Sequence, residues 1–447
     1  MSILSLDTLL LSPMMFVDTE ITDSMRDMYG AEFHQTTEHF ALHYGSEMVI
    51  SEEQVFEILD IFEETWQLQI EEMGYPIPQD TTVAKFNVYL GDSQLGLPPS
   101  YGVSGYYSLD QEGWPMIVLG EYVLQNWEET QSTIPHEFFH AIQHSLGVYR
   151  NDSRSKWYWE ATATWMETQH FPSDPMTGIF LFGFLFHPHL PINYYEPVQD
   201  GNSEEFYTYG AFLFPYYISE EWADPNWIRD SWLNVSPTQT PLDYLTSRID
   251  EEQDFADVLL DFTLRCITYD IGDAYLYEDD VESYGDMFRN EDHRITVTLP
   301  PSGNSNFTKT SLPLFRTGFH HINLQNLNLY EPVLEMEFDL VGSMGSVAEW
   351  RVGLLDEDGS WIALDITDNY LQWTGDLTTK TSLVVTVWTS LEKTDEIFTY
   401  QYRVHEYETT NIHETDGGCR GNSGSSKSTT MFGFLFLLLC WIRRQRG

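Results

Sequence analysis

The sequence predicts an α+β fold in two successive parts, a mixed sheet with a helical subdomain over residues 31–290 and a β-sandwich over 293–408. Three observations carry this. Strand and helix periodicities alternate up to about residue 119, and residues 129–290 then read as mostly helical. From His293 onward, β-branched and aromatic residues recur in short alternating runs broken by turn residues. The chain of 447 residues is 42% hydrophobic, enough for cores of this size. Residues 1–30 read as a leader and 409–447 as a linker and tail.

In chain order, Leu9–Val17 has the length of a signal h-region, although Asp7 precedes it where Lys or Arg is usual. Glu38–Tyr44 alternates as a strand, and residues 52–73 place Val55, Ile58, Leu59, Phe62 and Trp66 on one helical face. Lys85–Leu90 reads as a second strand and Trp114–Leu119 as a third, the latter expected to be the sheet edge on which an extended peptide could lie. Ser132-Thr133-Ile134-Pro135 supplies cap-like residues and a first-turn proline for a helix that Gly147 would stop. A helical run extends from about Asp243 to Ile271 and contains Cys266, read as a buried thiol. Ile295–Leu299, Leu334–Leu340 and Ser382–Trp388 read as strands.

Charge narrows the function. Against 21 Lys+Arg stand 70 Asp+Glu, a formal net charge of −49. Such a surface repels phosphate backbones, so no nucleic acid partner is expected. The acidic runs Asp279-Asp280 and Asp356-Glu357-Asp358 read as solvated loops before Ca²⁺ sites. Three cysteines provide no disulfide framework, and a core this large needs none.

The chemistry concentrates at His136-Glu137-Phe138-Phe139-His140, followed nineteen intervening residues later by Glu160. Histidines at i and i+4 share one helix face, so both imidazoles can reach one metal ion. Two His nitrogens and one carboxylate oxygen suit Zn²⁺ with a position left for water. Glu137, between the two, is placed to take a proton from that water as it attacks a carbonyl. His144 is on the same face but ~12 Å along the axis from His136. It cannot join that ion. His34, His39, His43, His187, His189, His320 and His321 come without partners at ligand spacing and read as structural.

His136-Glu137-x-x-His140 with Glu160 resembles the gluzincin clan of metallopeptidases, which holds thermolysin and the leukotriene-hydrolase/aminopeptidase family. The resemblance implies a zincin-like domain over 31–290 with His136, His140 and Glu160 as zinc ligands and Glu137 as general base. Trp157-Tyr158-Trp159-Glu160 through Glu167 resembles the aminopeptidase-family helix, in which a second Glu seven residues after the ligand hydrogen-bonds a liganding His. That implies Glu167 as the outer partner. Tyr207-Thr208-Tyr209-Gly210 resembles the Y-x-x-G helix start whose tyrosine stabilises the oxyanion, implying Tyr207, with Tyr209 as the alternative.

The departures shape the expected activity. Gly102-Val103-Ser104-Gly105-Tyr106 lacks the G-x-M-E-N element that binds a free amine in the aminopeptidases. Thr164 stands where thermolysin has an Asp. An endopeptidase acting on peptides or proteins is therefore expected. A zinc hydrolase of non-peptide substrates and a surface binding protein on an inactive protease scaffold are the other classes.

The last residues are another kind of sequence. Gly417-Gly418-Cys419-Arg420 leads to a Gly/Ser linker, an apolar run Met431–Ile442 and Arg443-Arg444-Gln445-Arg446. Twelve residues rise only ~18 Å in a helix, short of the ~30 Å hydrocarbon core. The pattern resembles the myxobacterial-type C-terminal sorting tail, which implies export, retention at the cell surface and membrane contact only through the tail.

Overall fold

The structure is a computed structural model. It describes residues 23–406 apart from 151, 173–174, 196–202, 237, 288–294, 297–305, 311, 325–331, 376–378 and 391–394. The expected h-region and the linker and tail lie outside the described residues. The fold is α+β. Among the described residues, no helix is long and apolar enough to cross a membrane.

The first sheet holds β1 (Phe33–Thr36), β2 (Phe40–Tyr44), β3 (Phe86–Leu90), β4 (Gly105–Leu109) and β5 (Pro115–Leu119) in the spatial order β1-β2-β3-β5-β4. Strands β2, β3 and β5 are parallel, while β1 and β4 run antiparallel to their neighbours. Between β2 and β3 the chain crosses through α1 (Glu52–Trp66), whose N-terminus is closed by reciprocal bonds between Ser51 and Gln54. Its Val55, Ile58, Leu59 and Phe62 are buried, as the 3.6-residue period requires.

One expectation is overturned here. On that side of the sheet the edge strand is β4, and β5 pairs on both sides. Every residue of Pro115–Leu119 is buried, as an unbroken apolar run in an interior strand should be, whereas β4 is half exposed. Residues 24–29, within the stretch expected to be a leader, are packed on the first sheet. The Lys85 amide donates to Ser24 O (2.9 Å), Arg26 pairs with Asp110 and Glu112, and the Tyr29 ring packs edge-on against Tyr89.

The helical part comprises α2 (Glu121–Gln125), α3 (Trp127–Leu146), α4 (Lys156–His170), α5 (Pro175–Phe186), α6 (Tyr207–Gly210), α7 (Leu213–Tyr217), α8 (Pro225–Leu233), α9 (Pro241–Ile249), α10 (Phe255–Thr268) and α11 (Glu278–Met287). Helix α3 begins well before the expected Ser132 cap and carries Pro135 in its interior. Burial of Glu129, Thr130, Ser132 and Ile134 outweighs the proline's preference for a first turn, and the buried Gln69 amide donates to Pro135 O (3.0 Å). Gly147 ends α3 at φ 71°, as expected. The expected run from Asp243 to Ile271 is two helices, because Asp254 caps α10 through the Ala256 amide (2.9 Å). Cys266 is a buried free thiol.

The remaining strands are β6 (Ile295–Thr296), β7 (Thr308–Lys309), β8 (Leu314–Phe315), β9 (Phe319–Asn323), β10 (Pro332–Phe338), β11 (Glu349–Asp356), β12 (Trp361–Ala363), β13 (Tyr370–Thr374), β14 (Lys380–Trp388), β15 (Ile397–Phe398) and β16 (Tyr400–Glu406). They form a four-stranded sheet, β13-β10-β16-β7, a five-stranded sheet, β12-β11-β14-β9-β6, and the small pair β15-β8. Leu334 and Met336 of β10 share one core with Val352 and Leu354 of β11 and Leu383 and Val385 of β14. Alternate residues of β14 face the other way, so Val384 and Trp388 join the core of the helical part. The Trp388 ring lies 4.5 Å from Phe255 of α10, and a side chain at Gly353 would meet Leu264 at 2.8 Å. The β-rich residues are thus packed on α10.

Glu335 of β10 is almost fully buried and accepts from Arg403, Tyr370 and His405. Burial alone would raise its pKa, but the Arg403 bond and those of Tyr370 and His405 outweigh it and hold the carboxyl near about 2. A depressed carboxyl stabilises the fold above its unfolded value of 4.5 and loses that contribution as pH falls through about 2. Glu335→Gln is therefore expected to cost about 3 kcal/mol at neutral pH. Urea unfolding should show the gap from wild type closing between pH 4.5 and 2.

Candidate metal centre

Helices α3 and α4 pack together and bring three side chains to one point. His136 Nε2 and His140 Nε2 are 3.1 Å apart, and each is 3.5 Å from Glu160 Oε2. Around a tetrahedral ion with bonds of ~2.0–2.1 Å, donor atoms are ~3.4 Å apart. His136, His140 and Glu160 could therefore hold a metal ion. Among the described residues, no other group of three such side chains converges in this way.

The ring orientations agree with that use. His136 Nδ1 lies 2.5 Å from Glu167 Oε1, and His140 Nδ1 lies 2.7 Å from Gln143 Oε1. With both Nδ1 protons held by acceptors, both Nε2 atoms present lone pairs toward the same point as the Glu160 carboxylate. Three acceptors facing one another are what a cation satisfies. Glu167 is where the i, i+7 spacing on α4 puts it, on the face of Glu160 and almost fully buried.

Gln143 was not foreseen. It is fully buried, and its amide also donates to Trp159 O and Thr162 Oγ1 (3.0 Å each). One side chain thus orients His140 and ties α3 to the turn of α4 that carries Glu160. Its i+3 position from His140 was the signal available in the sequence.

The local field is strongly negative. Burial opposes a charged His136, but bonds to Glu160 and Glu167 outweigh it and hold its pKa well above the ordinary imidazole value. For His140 burial is likewise overcome by the Glu160 charge, and its pKa is raised. Burial would raise the Glu160 carboxyl, yet the two imidazoles hold it far below the usual carboxylate range. A metal ion would compete with protons for the same lone pairs.

A cleft of about 720 Å³ opens over this point. One wall is β4 with the residues before it, and another is Phe180, Phe206 and Tyr209. Glu137 lines the cleft beside the histidines. Gly105 lets the edge strand approach α3 closely: a Cβ there would lie 2.7 Å from Thr133 Cγ2 and 3.4 Å from Glu137 Cγ.

The structure separates the two tyrosines. Tyr207, the residue the resemblance implied, is buried, and its hydroxyl donates to Leu190 O (3.0 Å) and Pro191 O (3.2 Å). It does not line the cleft. Tyr209 does, stacked on Phe180 at 5.0 Å with its ring 6.2 Å from that of His136. The cause lies in the glycines. A Cβ at Gly210 would meet Phe180 O at 2.1 Å, and one at Gly183 would meet Phe206 Cβ at 2.6 Å, so α6 seats directly on α5 and turns Tyr209 inward. The Glu160 charge, followed by burial, raises the Tyr209 pKa well above the ordinary phenol value and keeps it a neutral donor.

Several of the other histidines are taken up by packing and hydrogen bonds. His39 binds Glu63 and stacks on Trp66, His43 bonds Asn87, His320 bonds Tyr400, and His144 packs edge-on against Tyr107. Asp356 pairs with Lys380, and Asp358 accepts from Ser360 within the same turn.

A search of curated proteins finds no match to this chain. Residues 11–363, which include every residue of the metal centre and its cleft, match the model described as "Family of unknown function (DUF6055)", and the chain belongs to that family.

Proposed function

We propose that this protein is a zinc-dependent peptide-bond hydrolase of the gluzincin type, a zincin-like domain followed by a β-sandwich, acting as an endopeptidase. The observation that carries the reading is the convergence of His136 Nε2, His140 Nε2 and the Glu160 carboxylate, with both imidazoles locked from behind by Glu167 and Gln143. The nitrogen and oxygen donor set fits zinc. When bound there, zinc would acidify a water and polarise a carbonyl.

The chain's own residues supply the rest. Glu137 takes the water's proton and later delivers it to the leaving amine. Tyr209 donates a hydrogen bond to the carbonyl oxygen as charge builds on it. The open side of β4 offers backbone donors and acceptors to an extended peptide, which favours a peptide over a small ester. The acidic surface and the C-terminal tail support export to the cell surface.

Mass-spectrometric profiling of a peptide library with the zinc-loaded full chain tests this, with Glu137→Gln as control. Internal cuts made by the wild type alone are expected. A folded, zinc-loaded protein that cuts nothing would sink the proposal. The tyrosine assignment has its own test. Tyr209→Phe should lower kcat ~10²–10³-fold. Tyr207→Phe should leave kcat near wild type and cost ~1 kcal/mol of stability for its lost hydrogen bonds. The reverse pattern would return the role to Tyr207.

A further inference from the structure

We infer that Glu129 makes the cleft selective for a cationic side chain, so that the preferred peptide carries Arg or Lys about two to three residues from the cleaved bond. This rests on the hydrolase reading for the ligand's being a peptide, but the charge preference has its own observations. Glu129 lies on the cleft-facing side of α3, seven residues before His136, a rise of ~10.5 Å. An extended peptide covers that span in about three residues.

Glu129 is only 6% exposed, yet its partners are neutral: it accepts from Ser104 Oγ and from Asn126 Nδ2 (3.2 Å). A first-turn carboxylate favours a helix N-terminus, but Glu128 fills that role from an exposed position and gives no reason to bury a second one. A withdrawn carboxylate without a cation beside it is costly unless something else brings the charge.

The cleft around it brings none. Glu129, Glu137, Glu160, Glu167 and Glu205 all line it, and among the described residues no Lys or Arg does. A divalent ion at the metal centre would offset two of these charges and leave the far end, where Glu129 sits, negative. Phe206 in the wall offers an aromatic face to the charged head of Arg or Lys. Ser104 immediately precedes β4, so its bond to Glu129 places the carboxylate where the open edge begins. Guanidinium is the better fit, because it can pair with a carboxylate through two parallel bonds.

The test reads binding, so it does not depend on turnover. In the zinc-loaded Glu137→Gln protein, calorimetry compares a peptide containing Arg with the same peptide containing citrulline, an isostere without charge. The Arg peptide should bind at least ~10-fold tighter, and the gap should vanish when Glu129→Gln is added. Glu129→Asp keeps the charge and should retain part of the gap, which covers the case in which the glutamine variant does not fold. Equal affinities, or a gap that survives Glu129→Gln, would overturn the inference. A charge-dependent gap in a protein whose wild type cuts nothing would uphold the cation subsite and defeat the hydrolase reading instead.

Discussion

Glu137→Gln is expected to lower kcat by ~10²–10⁴-fold, the range that a positioned general base supplies, while leaving zinc content and unfolding temperature near wild type. The structural grounds are specific. Glu137 lines the cleft beside both ligand histidines, but it is not among the three groups whose atoms converge. Glutamine has the same shape and keeps an acceptor, so its fit beside Gly105 is retained; only the ability to accept and return a proton is lost. KM should change little, because the side chain acts on the water and not on the resting peptide. Single-turnover rates measured with a cleaved library peptide, beside zinc stoichiometry, decide it. Full activity in the variant would remove Glu137 from the chemistry, and loss of zinc would show it to be a ligand.

What was legible in the sequence follows from how local each geometry is. The i, i+4 pair His136/His140 and the i, i+7 pair Glu160/Glu167 are set by helix pitch alone, and the structure brings all four together. Elements decided by packing between distant segments were not legible. Pro115–Leu119 is an unbroken apolar run that suits an interior strand, but which strand covers its far side depends on where β4 returns. Pro135 reads as a helix start until Gln69 and the buried first turns of α3 are taken into account. Tyr207 and Tyr209 differ by two residues in one motif, and only the seat of Gly210 on Phe180 tells which one faces the cleft. Gln143 was hidden for a similar reason: its worth comes from Trp159 and Thr162 on the neighbouring helix.

The second large effect is expected at Glu160. Glu160→Gln should weaken zinc binding by ~100-fold or more, since loss of an outer partner alone typically costs 10–100-fold and this residue supplies the ligand set's one anion. Gln143→Leu, which removes the acceptor behind His140 together with the bonds to Trp159 O and Thr162 Oγ1 but leaves all three ligands in place, should fall within that smaller range. Competition with a chelator of known affinity measures both, and thermal unfolding gives an independent reading. With free zinc at 1,000 times Kd the wild type gains ~4 kcal/mol over the metal-free protein, a gain the variant should largely lose at the same zinc. Protons sharpen the test. The Glu160 carboxylate raises the proton affinity of His136 and His140, so in the wild type zinc must displace protons as pH falls through their raised pKa values. Glutamine removes that negative charge, so the variant's imidazoles release protons at lower pH and its zinc affinity declines later on acidification. The wild-type advantage should therefore narrow as pH drops, and full zinc occupancy in Glu160→Gln at neutral pH would exclude Glu160 as a ligand.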